Sequence, residues 1–221
     1  MNKIAGLILA AGAGRRMGGG LGGKLLLPYR GEPLVVHVLR KALAVCDPVV
    51  VVTGCNAAEV GHALKDVDST LRIIQATDWN RGQARSLRAG LAGLDDVEKK
   101  EGGDMLGALV LLGDQPLVRL ETLTALAEAF RGDPRSFVAP RYDGRRGNPV
   151  CIPRAWFPRV MTLDGDVGAR ALLDHSDACL HLVDVEDAGV LRDVDTVEDY
   201  QALLNSRDST LVHGPQPPLV D

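Results

Sequence analysis

Six short stretches of the chain are apolar at both odd and even positions: IAGLILA (4–10), PVVVVTG (48–54), LRIIQA (71–76), GALVLLGD (107–114), SFVAPRY (136–142) and HLVDV (181–185). A strand with one solvated face alternates apolar with polar residues. Runs without that alternation predict strands covered on both faces, as in a parallel sheet. Between these runs, apolar residues recur at helical spacing. Leu34, Val38, Leu39 and Leu43 form one stripe, Leu87, Leu91 and Leu94 a second, and Leu123, Leu126 and Phe130 a third. Strand and helix in alternation predict an α/β sandwich with right-handed crossovers.

The rhythm loosens after residue 135. APRYDGRRGNPVCIPR (139–154) reads as a strand, a Gly-containing turn and a second strand, a hairpin added to the sheet edge. VEKKEGGD (97–104) reads as a charged loop. One domain is expected over residues 1–205. The polar, Pro-rich segment 206–221 is expected to be a loosely ordered tail. In open α/β sheets, ligands sit at the carboxyl ends of the strands. Three chemically loaded stretches fall at such ends: the glycine-rich segment after the first strand, TGCN (53–56) and GDQP (113–116).

Composition narrows the class. The chain has 221 residues, 46% of them hydrophobic, enough for the core of one domain. Aromatic residues make up 4% and the formal net charge is −4. That balance argues against a nucleic-acid or anionic-membrane partner and against a stacking platform for single strands. Any anion must be held locally. Cys46, Cys55, Cys151 and Cys179 show no CxxC spacing, and the five histidines form no HExxH. The cysteines read as buried or half-buried thiols in a reducing cytoplasm, not as a zinc or redox site. The apolar run from Ile4 to Ala11 has the outline of a signal peptide, but it is short, and Arg15 and Arg16 follow it instead of preceding it. It is read as a first buried strand. No stretch approaches the roughly 18 apolar residues of a membrane span.

Residues 6–31 hold nine glycines, four basic side chains and no carboxylate. A dinucleotide GxGxxG fails, because Met17 stands where a third glycine must follow Gly12 and Gly14. A P-loop fails at Leu25, which stands where Ser or Thr ligates Mg2+ after GxxxxGK. Two readings remain. One is a plain mobile surface loop. In the other, the small residues of LAAG leave the backbone of Leu9, Ala10, Ala11 and Gly12 open to a base and ribose. The Gly-rich turn, with Gly14, Arg16 and Lys24, then holds a polyphosphate.

The residues at this point resemble a known family. LAAGAGRRMGGGLGGK (9–24) is similar to the LAAGxSxRMGxxK signature of nucleotidyltransferases that load a nucleoside monophosphate onto a phosphorylated acceptor. WNRGQARSLRAGL (79–91), LVLLGDQPLV (109–118), RRGNPV (145–150), LDGDVGARALL (163–173) and RDVDTVEDY (192–200) follow in order. The set resembles the molybdenum cofactor cytidylyltransferase branch of the molybdopterin nucleotidyltransferase-like family. Three positions depart from its pattern. Five residues separate RMG from Lys24 where the family usually has two, Gly14 replaces a serine, and Asn148 stands where the branch has histidine.

The resemblance implies a three-layer α/β/α Rossmann-like nucleotidyltransferase domain with a mostly parallel sheet and an added antiparallel hairpin. It implies transfer of CMP from CTP to the phosphate of molybdopterin, with Mg2+ and with a client molybdoenzyme as a further partner. Transfer of CMP or GMP to another phosphorylated acceptor is one alternative, and a non-catalytic cofactor chaperone is another. Arg16 and Lys24 would hold the β- and γ-phosphates. Asp114 would ligate the metal, or else cap the next helix. The second carboxylate is Asp193 or Asp195. Asp193 is favoured as ligand, because DTVEDY (195–200) reads as a capping box with Asp195 or Thr196 at the N-cap. Gly82, Ser86 and Leu87 would line the nucleotide pocket, with Ser86 also a candidate N-cap. Arg141, Arg145 and Arg146 surround a turn and either solubilise it or, with Asn148, meet an anionic acceptor. Gly165, Asp166 and Gly168 form another turn, and Asp166 contacts the acceptor or supports the metal.

Overall fold

A computed structural model describes residues 3–12, 14, 23–68, 71–173 and 178–206. The chain runs through β1 (Lys3–Ala10), a two-stranded turn of β2 (Pro28–Tyr29) and β3 (Glu32–Pro33), α1 (Leu34–Val45), β4 (Val49–Thr53), α2 (Ala57–Lys65) and β5 (Arg72–Gln75). It continues through α3 (Gln83–Glu101), β6 (Met105–Leu112), α4 (Leu120–Gly132), β7 (Phe137–Tyr142), β8 (Arg145–Arg146) and β9 (Val150–Pro153). Two short helices, α5 (Phe157–Val160) and α6 (Arg170–Leu173), precede β10 (Leu180–Asp184) and α7 (Val197–Asn205). All six apolar runs are strands of one sheet, in the order β10-β7-β9-β6-β1-β4-β5 with β8 beside β7.

The period of two explains why those runs are apolar throughout. Ile4, Ile8, Val49, Val51, Leu109 and Leu111 point to the face covered by α1, α2 and α4, where Val38, Leu39, Leu64, Leu123, Leu126 and Phe130 meet them. Their neighbours Ala5, Leu7, Val50, Val52, Ala108 and Val110 point to the opposite face, against Leu87, Leu91 and Leu94 of α3 and Phe157 and Val160 of α5. The three α3 leucines are at most 1% exposed. Burying each contributes roughly 2 kcal/mol. The result is the expected α/β/α sandwich.

Three expectations need correction. The strand–turn–strand hairpin exists as β7 and β8, joined through Asp143 and Gly144. The next strand, β9, is not at the edge. It lies antiparallel between β6 and β7, and β10 takes the edge. All four β9 residues are buried, which suits a strand paired on both sides. The charged stretch 97–104 is helical as far as Glu101, because Val97 packs into the core and Glu98 accepts a hydrogen bond from the Met105 N–H at 3.0 Å. Cys55 and Cys179 are exposed. Cys46 and Cys151 are buried, and burial pushes the Cys46 thiol up to about 12. The last described residue of the C-terminal segment is Ser206, so the tail over 207–221 lies outside the described residues. Among the described residues, no helix is long and apolar enough to cross a membrane.

Candidate functional site

β1, β4 and β6 run parallel and end together at Ala10, Thr53 and Leu112. The opening segment, TGCN and GDQP therefore meet at one edge of the sheet. The approach is close. A Cβ on Gly54 would lie 2.4 Å from the Ala11 carbonyl oxygen and 2.7 Å from Trp79 Cγ. Only glycine lets the β4 turn pass there.

Asp114 follows β6 and meets Lys24, which lies in a short 3-10 turn just after Gly23. Lys24 Nζ donates to Asp114 Oδ2 at 2.5 Å and to Asp195 Oδ1 at 2.5 Å. Burial alone would draw the Lys24 ammonium down, but the two carboxylates outweigh it and hold it above its ordinary value. Burial also pushes the Asp114 carboxyl above the usual carboxylate range. Asp193 and Asp195 add to that rise, and Lys24 opposes it. Gly14 packs against this ammonium's stem. It sits at φ +57, and a Cβ there would lie 3.2 Å from Lys24 Cγ. A side chain at residue 14 would be strained and would crowd the lysine, which accounts for the glycine.

Asp193 and Asp195 come from far along the chain. The segment 187–196 forms a strap across the end of β6. Its Val194 N–H donates to the Asp114 carbonyl at 2.9 Å, and its Val190 carbonyl accepts from the Asn148 N–H at 3.0 Å. Asp187 anchors the strap. It is 2% exposed and accepts from the Arg119 N–H at 2.8 Å, Thr122 Oγ1 at 2.6 Å and the Gly189 N–H at 2.9 Å. Its charge thereby sits at the N-terminus of α4, where the helix dipole favours it. From the other side, Lys41 Nζ donates to the Pro116 and Val118 carbonyls, each at 2.6 Å, and burial draws its ammonium down. The Asp114 turn is thus held by α1 and by the strap.

Two cavities open along this edge. The larger, about 880 Å³, is lined by the charged group Lys24, Asp114, Asp193 and Asp195 together with Trp79, Gly82 and Ser86. The smaller, about 460 Å³, has Val110, Val150 and Leu173 in its wall with Arg146 and Asn148. Leu9, Gln83, Leu112 and Asp166 line both, so the two adjoin.

Of the residues singled out from sequence, Leu9, Ala11, Gly12, Gly14, Lys24, Gly82, Ser86, Asp114 and Asp193 line the larger cavity. Arg146, Asn148 and Gly168 line the smaller. Asp166 lines both, and its Oδ1 accepts from the Gln83 N–H at 3.3 Å, at the start of α3. Arg15 and Arg16 lie outside the described residues. Ala10 packs into the core behind the cavity, and Leu87 is fully buried under α3. Ser86 is not an N-cap, since α3 begins at Gln83. Asp114 caps no helix, because α4 starts six residues later, at Leu120. Thr196, not Asp195, caps α7, in a capping box with Asp199. Arg141 is committed to Asp184 at 2.6 and 2.8 Å, and Arg145 is exposed away from either cavity. Sequence reasoning missed Trp79 and Gln83, although both lie in WNRGQ, and it missed Asp187 and Lys41, which carry no local signal.

A divalent cation suits the charged group. Asp114 Oδ1 is buried and has no hydrogen-bond partner. A buried anionic oxygen left unpaired calls for a cation. Among the described residues, no group of three or more His, Cys, Asp or Glu side chains is arranged to hold a metal ion.

The model of the family described as MobA-like NTP transferase domain matches residues 6–180. Nicotine blue oxidoreductase of Paenarthrobacter nicotinovorans is 36% identical over 210 residues, covering 91% of this chain and 96% of the relative. Purine catabolism protein PucB of Bacillus subtilis is 33% identical, covering 89% and 94%. Molybdenum cofactor cytidylyltransferase of Escherichia coli is 23% identical, covering 90% and 95%. The crystal structure of Rv0371c from Mycobacterium tuberculosis matches with a TM-score of 0.77 at 29% identity, over 93% of this chain and 98% of that one. Its complex with manganese matches at 0.74 and 29% identity, over 93% and 100%.

Proposed function

The chain belongs to the MobA-like NTP transferase family, and from that premise we propose that it transfers CMP from CTP to the phosphate of a molybdopterin-type molybdenum cofactor, releasing pyrophosphate with Mg2+. One observation carries the reading. A charge-dense cavity with Lys24 and three aspartates adjoins a second cavity with apolar walls, and Asp166 lies on their border. That is the layout for joining a triphosphate to a separate, largely planar acceptor. The branch rests on GDQP (113–116) and GDVGAR (165–170) and on the Escherichia coli relative named for that activity. The domain that does this work is residues 1–205, with 206–221 as a tail outside it.

The chemistry asked of the chain is alignment and charge neutralisation. An acceptor phosphate attacks the α-phosphorus in line, the bond to the β-phosphate oxygen breaks, and pyrophosphate carries the electron pair away. The backbone of Leu9, Ala11 and Gly12, with Gly82 and Ser86, receives base and ribose. Lys24 and Arg16 hold the β- and γ-phosphates and stabilise the charge that develops on the leaving group. Asp114 and Asp193 would hold the cation, and Asp195 would keep Lys24 in place until the triphosphate arrives. When bound, Mg2+ supplies charge neutralisation at the α- and β-phosphates. Arg146, Asn148 and Asp166 orient the acceptor.

A second reading follows from the relative named an oxidoreductase. Hydride transfer would need a dinucleotide in the larger cavity. Met17 interrupts the fingerprint for one, and a lysine between two carboxylates is a provision for phosphate and cation, not for a nicotinamide ring. The deciding experiment measures pyrophosphate release from CTP, GTP, ATP and UTP separately, with and without molybdenum cofactor, and NAD(P)H oxidation in parallel. Cofactor-dependent release from CTP is expected. Release from another triphosphate would move the base assignment. Binding of the cofactor without any release would support a chaperone, and NAD(P)H oxidation would replace the reading altogether.

A further inference from the structure

Gln115, the third residue of GDQP, is 4% exposed. Its backbone N–H donates to the Leu112 carbonyl at 3.2 Å and closes the turn that ends β6. Its side-chain Nε2 donates to Asp193 Oδ1 at 2.5 Å. Its Oε1 is buried and has no partner. The reverse amide orientation would set two oxygens against each other at that distance, so the donor faces Asp193. A buried carbonyl left unpaired is a standing cost. What the fold gains in exchange is the contact to Asp193, itself an exposed residue of the strap.

The residue type matters. An amide is neutral, reaches as far as a glutamate and donates. A glutamate here would set carboxylate against carboxylate, and an apolar side chain of the same length would leave Asp193 free to rotate. The backbone of the strap is already tied to the Asp114 turn by the Val194 N–H. Gln115 adds the side-chain half of that tie, so that adjacent residues of one turn supply a carboxylate and the clamp for its partner carboxylate. We infer that Gln115 is a positioning residue, which fixes the Asp193 carboxylate beside Asp114 so that a divalent cation meets a preset pair. This rests on the metal reading proposed above.

The test is Mn2+ binding to the full chain without nucleotide, read by the electron paramagnetic resonance signal of free Mn2+, with the thermal midpoint measured alongside. Gln115→Met keeps the volume and removes the donor. Its midpoint is expected to stay close to the parent's while Mn2+ affinity falls about tenfold, the usual scale for losing a group that orients a metal ligand. In turnover, the apparent KM for metal should rise and kcat should recover at saturating Mn2+. If Gln115→Met does not fold, Gln115→Asn carries the same test, since its amide is too short to reach Asp193. Asp114→Asn separates the two ideas. If it loses Mn2+ binding while the Gln115 variants bind as the parent does, the inference about Gln115 is overturned and the metal reading stands. If Asp114→Asn also binds as the parent does, the metal reading falls and takes this one with it.

Discussion

The two adjoining cavities are built in opposite ways. The larger gathers one lysine and three aspartates from three stretches of chain, around residue 24, around residue 114 and at 193–195, and ties them with ion pairs, a side-chain hydrogen bond and backbone bonds. The smaller is walled by Val110, Val150, Ala171 and Leu173 and presents few polar groups, among them Arg146 and Asn148. The difference teaches where each half of a group transfer puts its demands. On the proposed function, a triphosphate with its cation would need opposed charges held at fixed distances, and the Asp114 turn is clamped between α1 and the strap. On the same proposed function, a planar acceptor would need apolar area and a few directional contacts, and the smaller cavity draws its lining from β6, β8, β9, the turn at Asn148 and α6.

The most damaging change to the charged side is Asp114→Asn. It keeps the shape and removes the charge. The steady-state rate of transfer is expected to fall by about a thousandfold or more, the scale for losing a central electrostatic contact. The folded state should survive, as read by circular dichroism. A variant with parental activity would remove Asp114 from the metal role. Lys24→Met comes next. It should weaken CTP binding by roughly 10- to 100-fold and CMP binding much less, as titration calorimetry would show, because each lost charge-assisted contact to phosphate costs about 1.5–3 kcal/mol. Equal losses for both nucleotides would mean that the loop is no triphosphate clamp. In the absence of nucleotide the same variant should bind Mn2+ more tightly, since Lys24 competes for Asp114 and Asp195. Leaving those carboxylates unpaired should also lower the thermal midpoint, and added Mn2+ should restore it through linkage.

The charged side was also the more legible in sequence. Phosphate and metal chemistry need particular residue types at strand ends, and the limits of the apolar runs of β1, β4 and β6 show where those strands end. Lys24 and Asp114 could be named on that basis, whereas the pair Asp193 and Asp195 came only from the resemblance to the nucleotidyltransferase family. What local pattern could not say was which aspartate meets Lys24. That depends on the strap, which is set by Asp187 reaching Thr122 and the Arg119 N–H, a contact between residues more than sixty positions apart. The same limit explains β9. VCIP is apolar at every position, which is a signal for an interior strand, but strand order is a matter of long-range pairing and no local turn reveals it. The helix end at Glu101 is a different kind of miss. Glu and Lys are good helix formers, so the charged run EKKE continues α3 until Gly102 and Gly103.

The smallest effects belong to the acceptor side, and they sharpen the comparison most. Arg146 and Arg141 pair with each other across β7 and β8 and lie in the same arginine cluster of the sequence. Yet Arg146 lines the smaller cavity, while Arg141 is committed to Asp184 on the edge strand, each holding the other charged: the arginine above and the carboxyl below its usual range. If the cavities divide the labour as their walls suggest, Arg146→Met should raise KM for the acceptor by about tenfold, the loss of one half-buried charge-assisted contact, and leave KM for CTP unchanged. Arg141→Met should change neither. Initial rates measured against each substrate in turn separate the outcomes. A rise in KM for CTP with Arg146→Met would merge the two cavities into one nucleotide site. An acceptor defect with Arg141→Met would mean that the whole turn, not the cavity, receives the acceptor. The Asp184 carboxyl provides a further handle. Its pKa is held low by Arg141, so the contribution of this pair to stability is complete at neutral pH and is lost as the pH falls through that lowered value. Any acid-induced loss of acceptor binding at milder pH must therefore come from another group.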